Sequence, residues 1–236
     1  MWHLQQLVRR AAARCTSSDG AYIALLAFLT AIIYFPLLFG GEMLSGDERV
    51  DGYYQYSAFY KDAIHTGESF LWNPYSYAGF PSFLNQFGSF LFPPVYIAFK
   101  YLPAIFAFHL VIAVATFAGL VFAYLFGRSF FLSRQASVIL AISYCAAQVP
   151  GTFHLGLSYA HSFLVLPLLL LSIVGAKRAS TKKRYLAYVA LGCGAVAVGF
   201  LAGYFITFVY ALIFAGIFSL FLDVFSASLG FTRGVR

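Results

Sequence analysis

The chain has 236 residues, of which 61% are hydrophobic and only 10% charged, and its mean hydropathy is +0.82. A water-soluble domain carries about a quarter charged residues, so a soluble globular fold is excluded. The net charge of +7 does not by itself argue for nucleic acid, because the positions of the cations matter more than their sum.

Residues 1–20 form a basic tail with Arg9, Arg10 and Arg14. Residues 21–39 follow as an uncharged apolar run, about long enough to cross a hydrocarbon core of roughly 30 Å. No small-x-small cleavage pattern follows Phe39, so the run reads as a retained signal anchor rather than a cleaved leader. After a long connection over 40–101, the region 102–222 is expected to hold spans at 103–126, 136–149, 158–174, 185–202 and 204–222, with a final tail at 223–236. The span at 136–149 is short and ends beside Pro150 and Gly151. The last two spans are divided near Gly199 and Gly203, because one helix over both would overshoot the bilayer. The expected fold class is an all-α membrane protein of about six transmembrane helices, with amphipathic interfacial helices in the long first outer loop.

Alternate connections should then be basic, because Lys and Arg in short loops resist translocation. Arg128 and Arg134, the run Lys177, Arg178, Lys182, Lys183 and Arg184, and Arg233 and Arg236 fall on the same side as the N-terminal tail. Twelve of the fifteen basic residues are placed there, so the N-terminus is expected in the cytoplasm. Six of the eight acids (Glu42, Asp47, Glu48, Asp51, Asp62 and Glu68) fall in the first loop, on the opposite side. The charge excess is therefore topological, and no nucleic-acid partner is expected. Cys15, Cys145 and Cys193 are isolated and read as packing residues, with no metal-site or disulfide pattern.

The first loop has a composition unlike the rest of the chain. Tyr53, Tyr56, Tyr60 and Ile64 recur at helical spacing, with Asp51, Gln55, Asp62 and His65 opposite and Gly67 placed to stop the helix. That pattern predicts an amphipathic helix in the interface, tyrosines toward the headgroups. The segment from Trp72 to Phe87 is rich in turn formers and aromatics, and Pro93-Pro94 opens a further short interfacial or re-entrant helix.

Asp47 begins an acidic cluster only eight residues beyond the first span, which keeps Asp47, Glu48 and Asp51 near the membrane surface. A carboxylate at that depth can deprotonate an acceptor hydroxyl, or hold a divalent cation (Mg or Mn) against a lipid-linked phosphate, with Asp47 and Asp51 the candidate ligands. Ser45 and Glu48 also have the spacing of a capping box, so Glu48 has a structural duty open to it; Asp47 has none and is the first catalytic candidate. Asp62 fits a solvated face better. Arg49 has the planar fork that suits a phosphate, or it pairs with Asp51. Trp72, Tyr75 and Tyr77 can stack on a sugar face or anchor the loop at the interface. His154 and His161 flank the second outer turn, where they are candidates for contact with a phosphate or an acceptor, packing being the competing role. His109 is buried well within a span.

The order of these elements, Gly46-Asp47-Glu48, Gln55-Tyr56, Trp72-Asn73-Pro74-Tyr75, Gly79-Phe80-Pro81, Asn85-Gln86 and Phe92-Pro93, resembles the start of bacterial YfhO-type membrane proteins, with Leu166-Pro167-Leu168 also similar. These resemble the polytopic GT-C glycosyltransferases. The resemblance implies a GT-C-like N-terminal module in the bacterial inner membrane that moves a sugar from a polyprenyl-phosphate lipid to an acceptor on the extracytoplasmic side. It further implies Asp47 as the catalytic carboxylate with Glu48 its neighbour, and Asn73 beside Trp72 in a substrate-contacting element. Members of that family are usually much longer, so the correspondence is to their N-terminal portion.

An ion-coupled transporter would place charges inside its spans, and the spans predicted above contain none. The competing reading is a non-catalytic membrane subunit whose outer loop binds a partner protein.

Overall fold

The computed structural model describes residues 2–43, 54–76, 78–82, 89 and 91–225; of these, the side chains of 2–18 and 148–156 are outside the description. Most of the described residues are helical.

Helix α1 runs Trp2–Phe39, so residues 2–18 are continuous in helix with the first candidate span at Asp19–Phe39. It ends where Gly40 N–H turns back to the Pro36 carbonyl at 2.9 Å and Gly41 takes a left-handed φ of +70°, the usual role of glycine just beyond a helix. Helix α2 (Tyr54–Thr66) follows, then a two-stranded antiparallel hairpin of β1 (Trp72–Asn73) and β2 (Phe80–Pro81), and helix α3 (Pro93–Tyr101). Helix α4 (Ala104–Ser129) lies antiparallel to α1: Tyr34 and Thr116 share a hydroxyl hydrogen bond of 2.8 Å near one end, and Tyr124 donates to Asp19 at 2.8 Å near the other.

Helix α5 (Arg134–Lys177) is assigned as one helical run of 44 residues, where separate spans at 136–149 and 158–174 were expected. It is not straight. Tyr144 donates to the Phe163 carbonyl at 2.6 Å and their rings lie 4.9 Å apart; nineteen residues of straight helix would hold those positions about 28 Å apart. The run therefore reverses direction between them, and the sequence supplies Pro150 and Gly151 in that interval. Gly127 of α4 faces Ser137 on the first arm and Gly119 faces Leu164 on the second, so the first arm is antiparallel to α4 and the second parallel to it.

Helix α6 (Lys182–Ala202) starts at Thr181, whose hydroxyl accepts from Arg184 N–H at 3.3 Å. It stops at Gly203, φ +87°, and α7 (Phe205–Val224) returns alongside. Gly199 is required here, since a Cβ would lie 2.3 Å from the Phe208 ring.

Among the described residues, five helical stretches are long and apolar enough to cross a membrane, Asp19–Phe39, Ala104–Ser129, Leu157–Lys177, Lys182–Ala202 and Phe205–Val224. The chain is an all-α membrane protein. Of their most apolar windows, 56% is buried for α4 and 78% for the second arm of α5, against 17% for α1, 17% for α6 and 22% for α7. Helices α4 and α5 are therefore the centre, and the other three present apolar flanks suited to lipid.

Candidate functional site

The ends of the bundle differ in kind. At one, Asp19 receives Arg134 Nε at 3.0 Å, lies 3.5 Å from Arg128 Nε, and accepts from Tyr124. Lys177 pairs with Asp223 there, and Arg178 donates to the Ser129 carbonyl while lying over the Phe131 ring. At the other end lie α2, the hairpin and α3. This second end is the candidate site, because the chemically interesting loop residues emerge from it.

Its organising group is His109, 1% exposed on the first turns of α4. Nδ1 is 3.0 Å from the Leu37 carbonyl, which can only accept, so Nδ1 carries the proton. In the neutral ring Nε2 is then the acceptor, and the Tyr54 hydroxyl donates to it at 3.0 Å. One imidazole thus joins the last turn of α1, the start of α2 and the start of α4. The predicted catalytic, phosphate-contacting and metal-binding residues Asp47, Glu48, Arg49 and Asp51 lie outside the described residues. In sequence they fall between Leu37 and Tyr54, both bonded to His109.

Helix α2 forms where the sequence predicts, but its tyrosines are not turned toward the outside as expected. Its buried positions are Ser57, Tyr60 and Ala63, and Tyr60 is fully buried between Phe99 of α3 and Phe70, ring centroids 5.5 and 5.0 Å away. Tyr56, Tyr60 and Ile64 of its stripe therefore face protein, because α3 supplies an apolar partner that the local pattern of α2 does not reveal. Burial, with Tyr96 nearby, pushes the Tyr60 phenol well above its ordinary value. Lys61 adds a cap, donating to the Leu102 carbonyl at 2.7 Å and the Phe99 carbonyl at 3.2 Å, where the end of α3 leaves acceptors open. Asp62 is exposed, as a solvated face requires.

In the hairpin, Asn73 is buried and folds its own turn: Oδ1 accepts from Tyr75 N–H at 2.9 Å and Nδ2 donates to Ser76 Oγ at 3.2 Å. Both ends of the carboxamide are engaged, which favours a shaping role for Asn73 over substrate contact. Trp72 lies over Gly79, whose φ of +115° favours glycine and where an added Cβ would lie 2.5 Å from the indole. The indole is half exposed and Tyr75 is 85% exposed, so both offer aromatic surface outside the bundle. Tyr77 lies outside the described residues.

His161 is 2% exposed on the second arm of α5, edge-on to Phe92 at 4.7 Å. Ser89, φ +50°, donates to the Ala202 carbonyl at 2.6 Å and stands 3.3 Å from His161 Nδ1. The serine proton thus goes to a backbone carbonyl, so the pair is not a nucleophile with its base. It is a lock joining the connection before α3 to α5 and to the end of α6. His154 is in α5, but its side chain is outside the description.

Sequence reading missed Ser89, Tyr54, Lys61 and Asp19. Asp19 carried a signal, an acid directly before an apolar run; the others act on partners 38 or more positions away. Compared with known proteins, the chain matches no family model, no curated protein and no solved structure.

Proposed function

We propose that the chain is a GT-C-like sugar transferase, the α2–hairpin–α3 end facing away from the cytoplasm of a bacterial inner membrane and the N-terminus inside. In this reading α5 makes two passes, giving six in all, and α2 and α3 lie at the outer interface. The concentration of Arg128, Arg134, Lys177 and Arg178 at the opposite end of the bundle supports that orientation.

The observation that supports the reading is the pair of hydrogen bonds joining His109 to Leu37 and Tyr54, which ties the two helices that flank the acid-bearing segment in sequence to the start of α4, at the hairpin end of the bundle. A lipid-linked phosphate resides at that depth. Asp47 removes the proton of an acceptor hydroxyl; the acceptor oxygen bonds to the anomeric carbon, and the bond from that carbon to the phosphate oxygen breaks, releasing polyprenyl phosphate. Arg49 offsets phosphate charge, and Asp47 and Asp51 are the residues that would hold Mg or Mn against it. Trp72 and Tyr75 present exposed aromatic faces to a sugar.

The test is sugar transfer from a polyprenyl-phosphate donor in membranes containing the protein or its Asp47→Asn variant at equal abundance. Transfer should disappear with the variant. Undiminished transfer overturns the assignment of Asp47, and no transfer by the unaltered protein favours the non-catalytic subunit.

A further inference from the structure

A cavity of about 310 Å³ lies between α5 and α7, away from the candidate site and on the other face of the second arm from His161. Its walls change in character with depth. Near the turn at Gly203 they carry the hydroxyls of Tyr159, Ser162 and Thr207; further along both helices they are Leu166, Ala211 and Phe214. The upper and lower residues are about two turns apart, roughly 10 Å along each axis.

The wall is more apolar than its composition suggests. Ser162 donates to the Ser158 carbonyl at 2.9 Å and Thr207 to the Tyr204 carbonyl at 3.2 Å, so both protons are already used within the protein. Two donors remain: among the described residues no protein group accepts from the hydroxyls of Tyr159 and Tyr210, which also line the cavity. The cavity is not sealed, since Tyr210 is 66% and Phe214 52% exposed on a helix apolar enough to cross a membrane. At that depth the surrounding medium is lipid chain, and an opening to it is filled by chain.

We propose that this groove binds one acyl chain of a membrane glycerophospholipid, its ester carbonyl at the level of Tyr159 and Tyr210 and its methylenes between Leu166 and Phe214. The volume suits about ten methylene-sized groups, taking the ~30 Å³ of a liquid water molecule for each. The free phenols select the lipid class. Glycerol esters place acceptors just below the headgroup, where two unpaired donors wait; an isoprenyl chain has no acceptor there. The site is independent of the proposed sugar-transfer reaction.

The experiment uses the full chain in bilayer discs of phosphatidylcholine that carries a photoactivatable diazirine in mid-chain, with adducts located by peptide mass spectrometry. Adducts should concentrate on 159–166 and 207–214, and Thr207→Trp, which fills the mouth, should reduce them about tenfold. Ile213→Trp, on the exposed face beside the groove, should leave them unchanged. Adducts spread evenly over the exposed faces of α6 and α7 would overturn the proposal, as would their displacement by added polyprenyl phosphate, which would assign the groove to an isoprenoid. The adduct map of the unaltered protein decides the matter even if the tryptophan variant does not accumulate.

Discussion

Tyr54 and His109, fifty-five positions apart, meet through a 3.0 Å hydrogen bond from the phenol to imidazole Nε2, and the other ring nitrogen holds the Leu37 carbonyl. Removing the phenolic oxygen leaves a buried acceptor unpaired, which costs about 1–3 kcal/mol. Tyr54→Phe should therefore lower the thermal midpoint of the detergent-solubilised protein and speed amide hydrogen exchange along α2. The tyrosine ring also packs on Phe108 at 5.2 Å, and phenylalanine keeps that contact. A loss confined to α2, with α6 and α7 unchanged, is the expected pattern; uniform destabilisation would mean that the bond is not a local anchor.

Gly199 and Gly194 are on the same helix but have opposite surroundings. A Cβ at Gly199 would meet the Phe208 ring at 2.3 Å, and Phe208 is only 4% exposed, so its ring has no free space to enter. Gly199→Ala should cost about 1–3 kcal/mol by overpacking and should loosen the pairing of α6 with α7. A Cβ at Gly194 meets nothing within 4 Å. Gly194→Ala should be neutral or stabilising, up to roughly 1 kcal/mol, because alanine is the better helix former. The ranking of the two thermal midpoints is the check.

How far the sequence predicts these features depends on the range of the interaction. Hydropathy and length locate α1, α4, α6 and α7, and the glycine near the last junction is Gly203 with its left-handed φ. Those are local properties of the chain. Pro150 and Gly151 signal the break in α5, but not that helical hydrogen bonding continues through it, because breakers weaken a helix without stating where its two arms lead. What the tyrosine stripe of α2 packs against was not legible, since apolar periodicity gives a stripe and not its partner, and α3 lies almost thirty residues on. Asn73 shows the converse limit. A residue type common in binding sites is used here to close its own turn.

Asp19 binds three groups from two neighbouring helices, Tyr124 and Arg128 of α4 and Arg134 of α5. Its side chain is 15% exposed and those of the arginines 20% and 32%, so the pairs are better shielded than an open surface bridge. Asp19→Asn keeps a hydrogen-bond acceptor but leaves two guanidinium charges facing each other. A loss of about 1–3 kcal/mol is expected, with destabilisation that shrinks as salt rises. Lys177 with Asp223, whose carboxylate side chain is 65% exposed, is the internal control: Asp223→Asn should shift the thermal midpoint little.

Topology gives the sharpest test of the proposed orientation. Ser76 belongs to the hairpin end, and Lys183 is exposed at the first turn of α6, at the end that holds Arg178 and Lys177. With Cys15, Cys145 and Cys193 replaced by alanine, a single cysteine at either position reports its side through a membrane-impermeant maleimide. Cells with a permeabilised outer layer and an intact inner membrane should label Ser76→Cys and not Lys183→Cys; inverted vesicles should give the reverse. Equal labelling of both would place the two ends on one side, which an even number of passes between them would require in place of the three proposed. Tyr144→Phe extends the argument to α5, since it keeps the contact with Phe163 but loses the 2.6 Å bond that closes the two arms. A loss of about 0.5–1.5 kcal/mol without any change in labelling is expected, because the reversal also rests on the packing of both arms against α4.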